Sequence, residues 1–167
     1  MKAILFATLA VLGTLPVAAV ASPAATLAQG IAAYEAGQVA TAQAAFRTLA
    51  DQGSAIGETM LGVMYSRGQG VGADPATAAA YWLRAANRGY PPAQLALAQA
   101  LAAGRGVARD PGGAWVWANL AARTGDSTTV QAAGRLAAAL QPGFSHAEQV
   151  SLDRQLAGWR PWAAREQ

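Results

Sequence analysis

Residues 66–90 read SRGQGVGADPATAAAYWLRAANRGY, with glycines at Gly68 and Gly70, an Asp-Pro step at Asp74 and Pro75, an alanine-rich aromatic segment and a closing Gly89. Two readings compete for this stretch. A phosphate-cradling loop needs its glycines after a strand and directly ahead of a helix N-terminus, with a Lys-Ser/Thr pair or a GxGxxG spacing. Here the stretch holds no lysine, the glycines follow a helix-forming run, and the pattern returns as GRGVARD at 104–110. The stretch is therefore a connector inside something repeated, and the repeat decides the fold.

Displacing the chain by 36 residues lays Gly68, Gly70, Val71, Asp74, Pro75, Ala78, Ala85, Ala86 and Gly89 on Gly104, Gly106, Val107, Asp110, Pro111, Ala114, Ala121, Ala122 and Gly125. Leu61 falls on Leu97, and Tyr81 on Trp117. One period earlier, Ala42, Phe46, Ala50 and Gly53 underlie Ala78, Trp82, Ala86 and Gly89, so a degenerate copy precedes the two clear ones. Each unit reads as two helices, the first over about Gly57–Arg67 and Ala93–Ala103, the second over about Pro75–Arg88 and Pro111–Thr124. Asp74 and Asp110 suit N-caps, with the prolines at the first helical position, where a missing N–H is harmless. Gly68, Gly89, Gly104 and Gly125 stand where left-handed residues end helices. The glycine pair lets the chain reverse between antiparallel helices, and Val71 or Val107 plugs the turn.

Outside the repeats, Ala24–Ala36 reads as the first helix of the degenerate unit, ended by Gly37. Ser145 with Glu148 forms a capping box, and Val150, Leu152, Leu156 and Trp159 make one apolar stripe before Pro161. This terminal helix is expected to cap the stack. The fold class is all-α, a short αα-hairpin solenoid with a C-terminal capping helix. Its segments are a leader at 1–21, a degenerate helix pair at 22–53, repeats at 54–89 and 90–125, and C-terminal helices at 126–167.

The leader is a cleavable export signal: Lys2 precedes a charge-free run from Ala3 to Val20, and Ala19-Val20-Ala21 gives the small-x-small cleavage pattern. An uncleaved anchor is the competing reading, weakened by Gly13 and Pro16. No cysteine occurs, which excludes disulfides, thiolate metal sites and a lipid-bearing N-terminal Cys. Without the leader, eleven arginines face nine carboxylates, scattered singly, and nucleic acid is not an expected partner. Alanine fills 45 of the 167 positions, a composition for closely packed helices.

The stretch LGVMYSRGQGVGADPATAAAYWLRAANRG resembles the Sel-one-like repeat, a relative of the tetratricopeptide repeat. Leu61, Gly62, Tyr65, Gly68, Gly70, Val71, Asp74, Ala78, Trp82, Ala85, Ala86 and Gly89 match its pattern position by position. The second copy carries Ala98 and Leu101 in place of the Gly and Tyr, and Ala118 where Trp82 stood, with Trp117 beside it. The resemblance implies a right-handed tetratricopeptide-like superhelix acting as a non-catalytic scaffold for protein partners, periplasmic or secreted, with no cofactor and no stable membrane span after cleavage. It also implies a peptide or partner helix held on a concave side lined by the first helices. There the positions not claimed by the family pattern are Glu58, Met64, Arg67, Gln94 and Gln99. Trp115 joins them, since its counterpart one unit earlier is Ala79, and it is expected to be exposed. Tyr65, Trp82 and Trp117 are expected in the core, and Trp159 and Trp162 in the cap.

Catalytic chemistry finds little footing. The single histidine, His146, follows an N-cap with no ligand at metal spacing, no GxSxG elbow exists, and Asp74, Asp110 and Asp126 are spread along a stack, where capping explains them. Two other classes stay open: an organiser of envelope polysaccharide or peptidoglycan machinery, and a secreted hydrolase with an unrecognised site.

Overall fold

The computed structural model describes residues 22–162. The expected leader, 1–21, lies outside the described residues, as do 163–167. Among the described residues the chain forms eight α-helices and no strand: α1 (Pro23–Glu35), α2 (Val39–Asp51), α3 (Ala55–Arg67), α4 (Pro75–Asn87), α5 (Pro91–Ala103), α6 (Pro111–Thr124), α7 (Ser127–Leu140) and α8 (His146–Gly158), with a 3-10 turn at Gln141–Gly143 before the last. Each helix packs on the next from α1 to α7, and α8 folds back on α6. The architecture is an all-α repeat solenoid.

The helix starts are chemical. The Asp74 carboxylate accepts from the backbone N–H groups of Ala76 and Thr77, each at 3.0 Å, and from the Thr77 hydroxyl at 2.6 Å. Asp110 accepts from the Gly113 amide and Asp126 from the Thr129 amide, both at 2.9 Å. Ser145 and Glu148 close a full capping box at the start of α8. At Asp74, Asp126 and Glu148 such bonds favour the ionised form. The Thr77 hydroxyl, the Thr129 amide and the Ser145 hydroxyl, respectively, hold Asp74, Asp126 and Glu148 below the usual carboxylate range.

Gly68 and Gly104 end α3 and α5 in the left-handed conformation, both at φ +67°. Gly125 departs from expectation: it is extended, at φ −71° and ψ 168°. The next residue, Asp126, is already the N-cap of α7, so the chain has to straighten there and has no room for a left-handed turn. Both connectors are pinned by one bond in register, the Asp74 amide donating to the Tyr65 carbonyl at 2.9 Å and the Asp110 amide to the Leu101 carbonyl at 3.0 Å.

The second glycine of each connector does more than let the chain turn. A Cβ on Gly106 would strike the carbonyl of Pro75, and one on Gly70 would strike the Val39 side chain. Val39 and Pro75 are the first residues of α2 and α4. Each connector therefore rests on the start of the second helix of the preceding unit, and only glycine permits that approach.

Three apolar clusters run along the stack. The first centres on Phe46, Leu49, Leu61 and Met64, the second on Ala85, Ala86, Ala93 and Leu97, and the third joins Trp115, Val116 and Leu120 to Leu152 and Leu156 of the capping helix. The expectation that Trp115 is exposed is corrected: its exposure is 6%. Its ring meets Phe144 edge to face at 6.5 Å. After α6 the chain continues as α7, the 3-10 turn and α8, and the indole packs into the cluster that these elements form with α6.

Candidate functional site

The first helices of successive units form one row: α3 touches α5, and α5 touches α7. The sequence places six candidate partner-binding residues on or beside this row, and the structure separates them sharply. Arg67 and Gln99 are exposed. Glu58 and Met64 have 0% exposure, Gln94 has 1%, and Trp115 belongs to the capping core. Those four are buried inside the stack, because a position free of the family pattern on a helix can still face the neighbouring helix. Met64 belongs to the N-terminal apolar cluster.

Glu58 is held by charge. One carboxylate oxygen pairs with Arg84 Nη2 at 2.8 Å and the other with Arg88 Nε at 3.3 Å, both from α4 of the same hairpin. These are the ion pairs formed among the described residues. Arg84 also sits 5.7 Å from the centre of the Tyr81 ring, which stacks on Tyr65 at 5.7 Å. One unit on, position 94 is glutamine, and the positions of the two arginines are Leu120 and Thr124. The buried carboxylate and its arginines thus disappear together. Gln94 instead donates from Nε2 to the Ala86 carbonyl at 3.3 Å, tying α5 to the preceding hairpin.

A parallel exchange surrounds Trp82. A Cβ on Gly62 would strike its indole, so the glycine makes the slot that the ring fills. In the next unit the pair becomes Ala98 and Ala118, both fully buried, and the aromatic moves to Trp117, edge to face with Trp159 at 6.0 Å. Trp82 and Trp117 are partly buried against the second cluster, and Tyr65 is half-buried beneath Tyr81. Trp162 remains 37% exposed.

Between the two clear units lies a groove of about 360 Å³ whose walls include Ser66, Arg67, Trp82, Gln99 and Arg105. Arg67 is tied to the N-terminal unit: its Nη1 donates to the Tyr34 hydroxyl at 3.1 Å, and that hydroxyl donates to Gln69 Oε1 at 2.8 Å. A larger hollow of about 610 Å³ lies at the capping end, with Arg109, Asp110, Leu140, Phe144 and Glu148 in its walls. Among the described residues no three His, Cys, Asp or Glu side chains converge as metal ligands would. His146 is exposed at the first position of α8. No helix among the described residues is long and apolar enough to cross a membrane.

The Sel1 repeat family model matches residues 55–90 and 91–126. No curated protein matches the chain. Among solved structures, c5321, a protective antigen present in uropathogenic Escherichia coli strains and displaying an SLR fold, superposes with a TM-score of 0.74 at 22% identity, over 86% of this chain and 32% of its own. A Sel1 repeat protein from Oxalobacter formigenes gives a TM-score of 0.59 at 26% identity, over 64% of this chain and 44% of its own. The chain thus spans well under two thirds of either protein's length. With two tandem repeats matched over its central hairpins and a helical stack shared with solved Sel1-repeat structures, the chain is a Sel1-repeat protein over residues 55–126.

Proposed function

We propose that this protein is a non-catalytic scaffold of the bacterial cell envelope that holds a peptide or partner helix along the row formed by α3, α5 and α7. Sel1-repeat proteins are generally protein–protein interaction scaffolds, which supports the coarser part of the reading. Stacked repeats create extended surfaces to which successive units contribute side chains at a fixed spacing. The observation that carries the finer part is the pair Arg67 and Gln99, exposed on consecutive first helices and lining one groove. An envelope location rests on the leader motif of residues 1–21 and on the frequent export of the family.

The test is crosslinking capture from envelope extracts with the wild-type chain and with Arg67→Glu/Gln99→Trp. The double variant should lose the captured partner while its thermal melt stays close to wild type, because both side chains are exposed and the one hydrogen bond lost, from Arg67 to Tyr34, lies at the surface. Capture that survives the double substitution, or turnover abolished by changing His146 alone, would overturn the assignment.

A further inference from the structure

The groove between the two repeats carries two arginines in its walls. Its walls bring Arg67 from the end of α3 and Arg105 from the second connector to one opening, and no carboxylate lines it. Asp74, next to wall residue Pro75, is committed to the amides and hydroxyl that start α4. The ion pairs among the described residues use Glu58 with Arg84 and Arg88, and neither groove arginine takes part. Arg67 keeps one nitrogen on the Tyr34 hydroxyl, and the other N–H groups of its guanidinium fork have no hydrogen-bond partner among the described residues.

We propose that this groove is the acid-recognising subsite of the scaffold, taking an extended partner segment by a Glu or Asp side chain held between Arg67 and Arg105. The inference rests on the peptide-binding reading above and names the chemistry of the peptide. Gln99 supplies both an amide donor and an amide acceptor, the complement of a peptide unit. Val63, Ala96 and the part of Trp82 that reaches the groove form the apolar wall beside it. An acidic glycan would meet the same arginines, but sugar rings stack on an open aromatic face, and the Trp82 indole is wedged against Gly62. Arginine forks bind carboxylates in two parallel bonds, so the pair selects carboxylate over isosteric amide.

Fluorescence polarisation on the whole chain decides the matter, with three labelled pools of randomised octapeptides that share their apolar content and differ in carrying Glu/Asp, Gln/Asn or Lys/Arg. The acidic pool should bind at least about tenfold more tightly than the neutral one, as expected for charge-assisted bonds, and lose that advantage as salt is raised. Arg67→Gln/Arg105→Gln should erase the preference. Arg67→Lys/Arg105→Lys, which keeps the charge but not the fork, should retain part of it, and thermal melts check that both variants are folded. Equal binding of acidic and neutral pools, or an acidic preference that survives the glutamine variant, would overturn the subsite and leave the peptide scaffold standing. Binding of no pool at all would overturn both. Tighter binding of an oligouronate than of the acidic pool, through the same two arginines, would make the occupant a glycan and refute the peptide assignment.

Discussion

The Glu58 cluster predicts an asymmetry that a simple count of salt bridges would miss. The carboxylate has no exposure, whereas the Arg84 and Arg88 side chains remain 50% and 38% exposed. Removing both arginines strands a buried charge, which costs about 3 to 5 kcal/mol. Glu58→Gln leaves two cations that water can still reach and an amide that still bonds, so its cost should be about 1 to 2 kcal/mol. The third variant copies the next unit. Glu58→Gln/Arg84→Leu/Arg88→Thr installs the residue types of Gln94, Leu120 and Thr124, and replacing a buried ion cluster by neutral groups is often close to neutral, so it should return to within about 1 kcal/mol of wild type. Urea unfolding followed by far-ultraviolet circular dichroism measures all three. The reasoning fails if Glu58→Gln is as damaging as the double arginine variant, or if the triple variant is no more stable than that double variant.

Further outcomes follow from the connectors and caps. Gly106→Ala meets both a φ of +73° and the Pro75 carbonyl, so it should destabilise by about 2 to 4 kcal/mol, whereas Gly72→Ala, with open space at its Cβ, should stay within about 0.5 kcal/mol; thermal melts compare them. Asp74, Asp126 and Glu148 have carboxyl pKa values lowered by folding, so their contribution is complete above the ordinary carboxylate range and is lost as pH falls through the folded values. Unfolding midpoints should therefore be flat from neutral pH down to about pH 5 and drop below about pH 4, with a shallower drop in Thr77→Val, which lacks the hydroxyl that holds Asp74 down. An acid slope unchanged by that substitution would remove Thr77 from the account.

Much of the stack was legible because its punctuation is local. An aspartate followed by proline starts a helix, and a glycine at φ +67° ends one, using atoms only a few residues apart. The observed α6, Pro111–Thr124, matches the span read from those signals, and α3 and α5 begin two residues before the spans read for them. The candidate site was less legible. Spacing placed Glu58, Met64, Arg67, Gln94 and Gln99 on the first helices, but a helical position does not say which neighbour a side chain meets. The Arg88 partner of Glu58 is 30 residues away, on the other helix of the hairpin. One signal was available in the sequence: Glu58 with Arg84 and Arg88 becomes Gln94 with Leu120 and Thr124 one period later, a joint change that marks contacting positions.

Trp115 shows the same boundary from the other side. Comparison with Ala79 tells that the two units differ there, but not that the last hairpin meets α7 and α8 instead of another repeat. By itself the sequence determined the period, the helix pairs and the family, since capping and glycine turns act within one turn of the chain. Only the tertiary structure decided that four of the six candidate contact residues are buried, that connector glycines seat on the preceding unit, and that Arg67 and Arg105 open onto one groove. Those outcomes depend on how neighbouring hairpins pack, which is set by side-chain volumes and charges far apart along the chain.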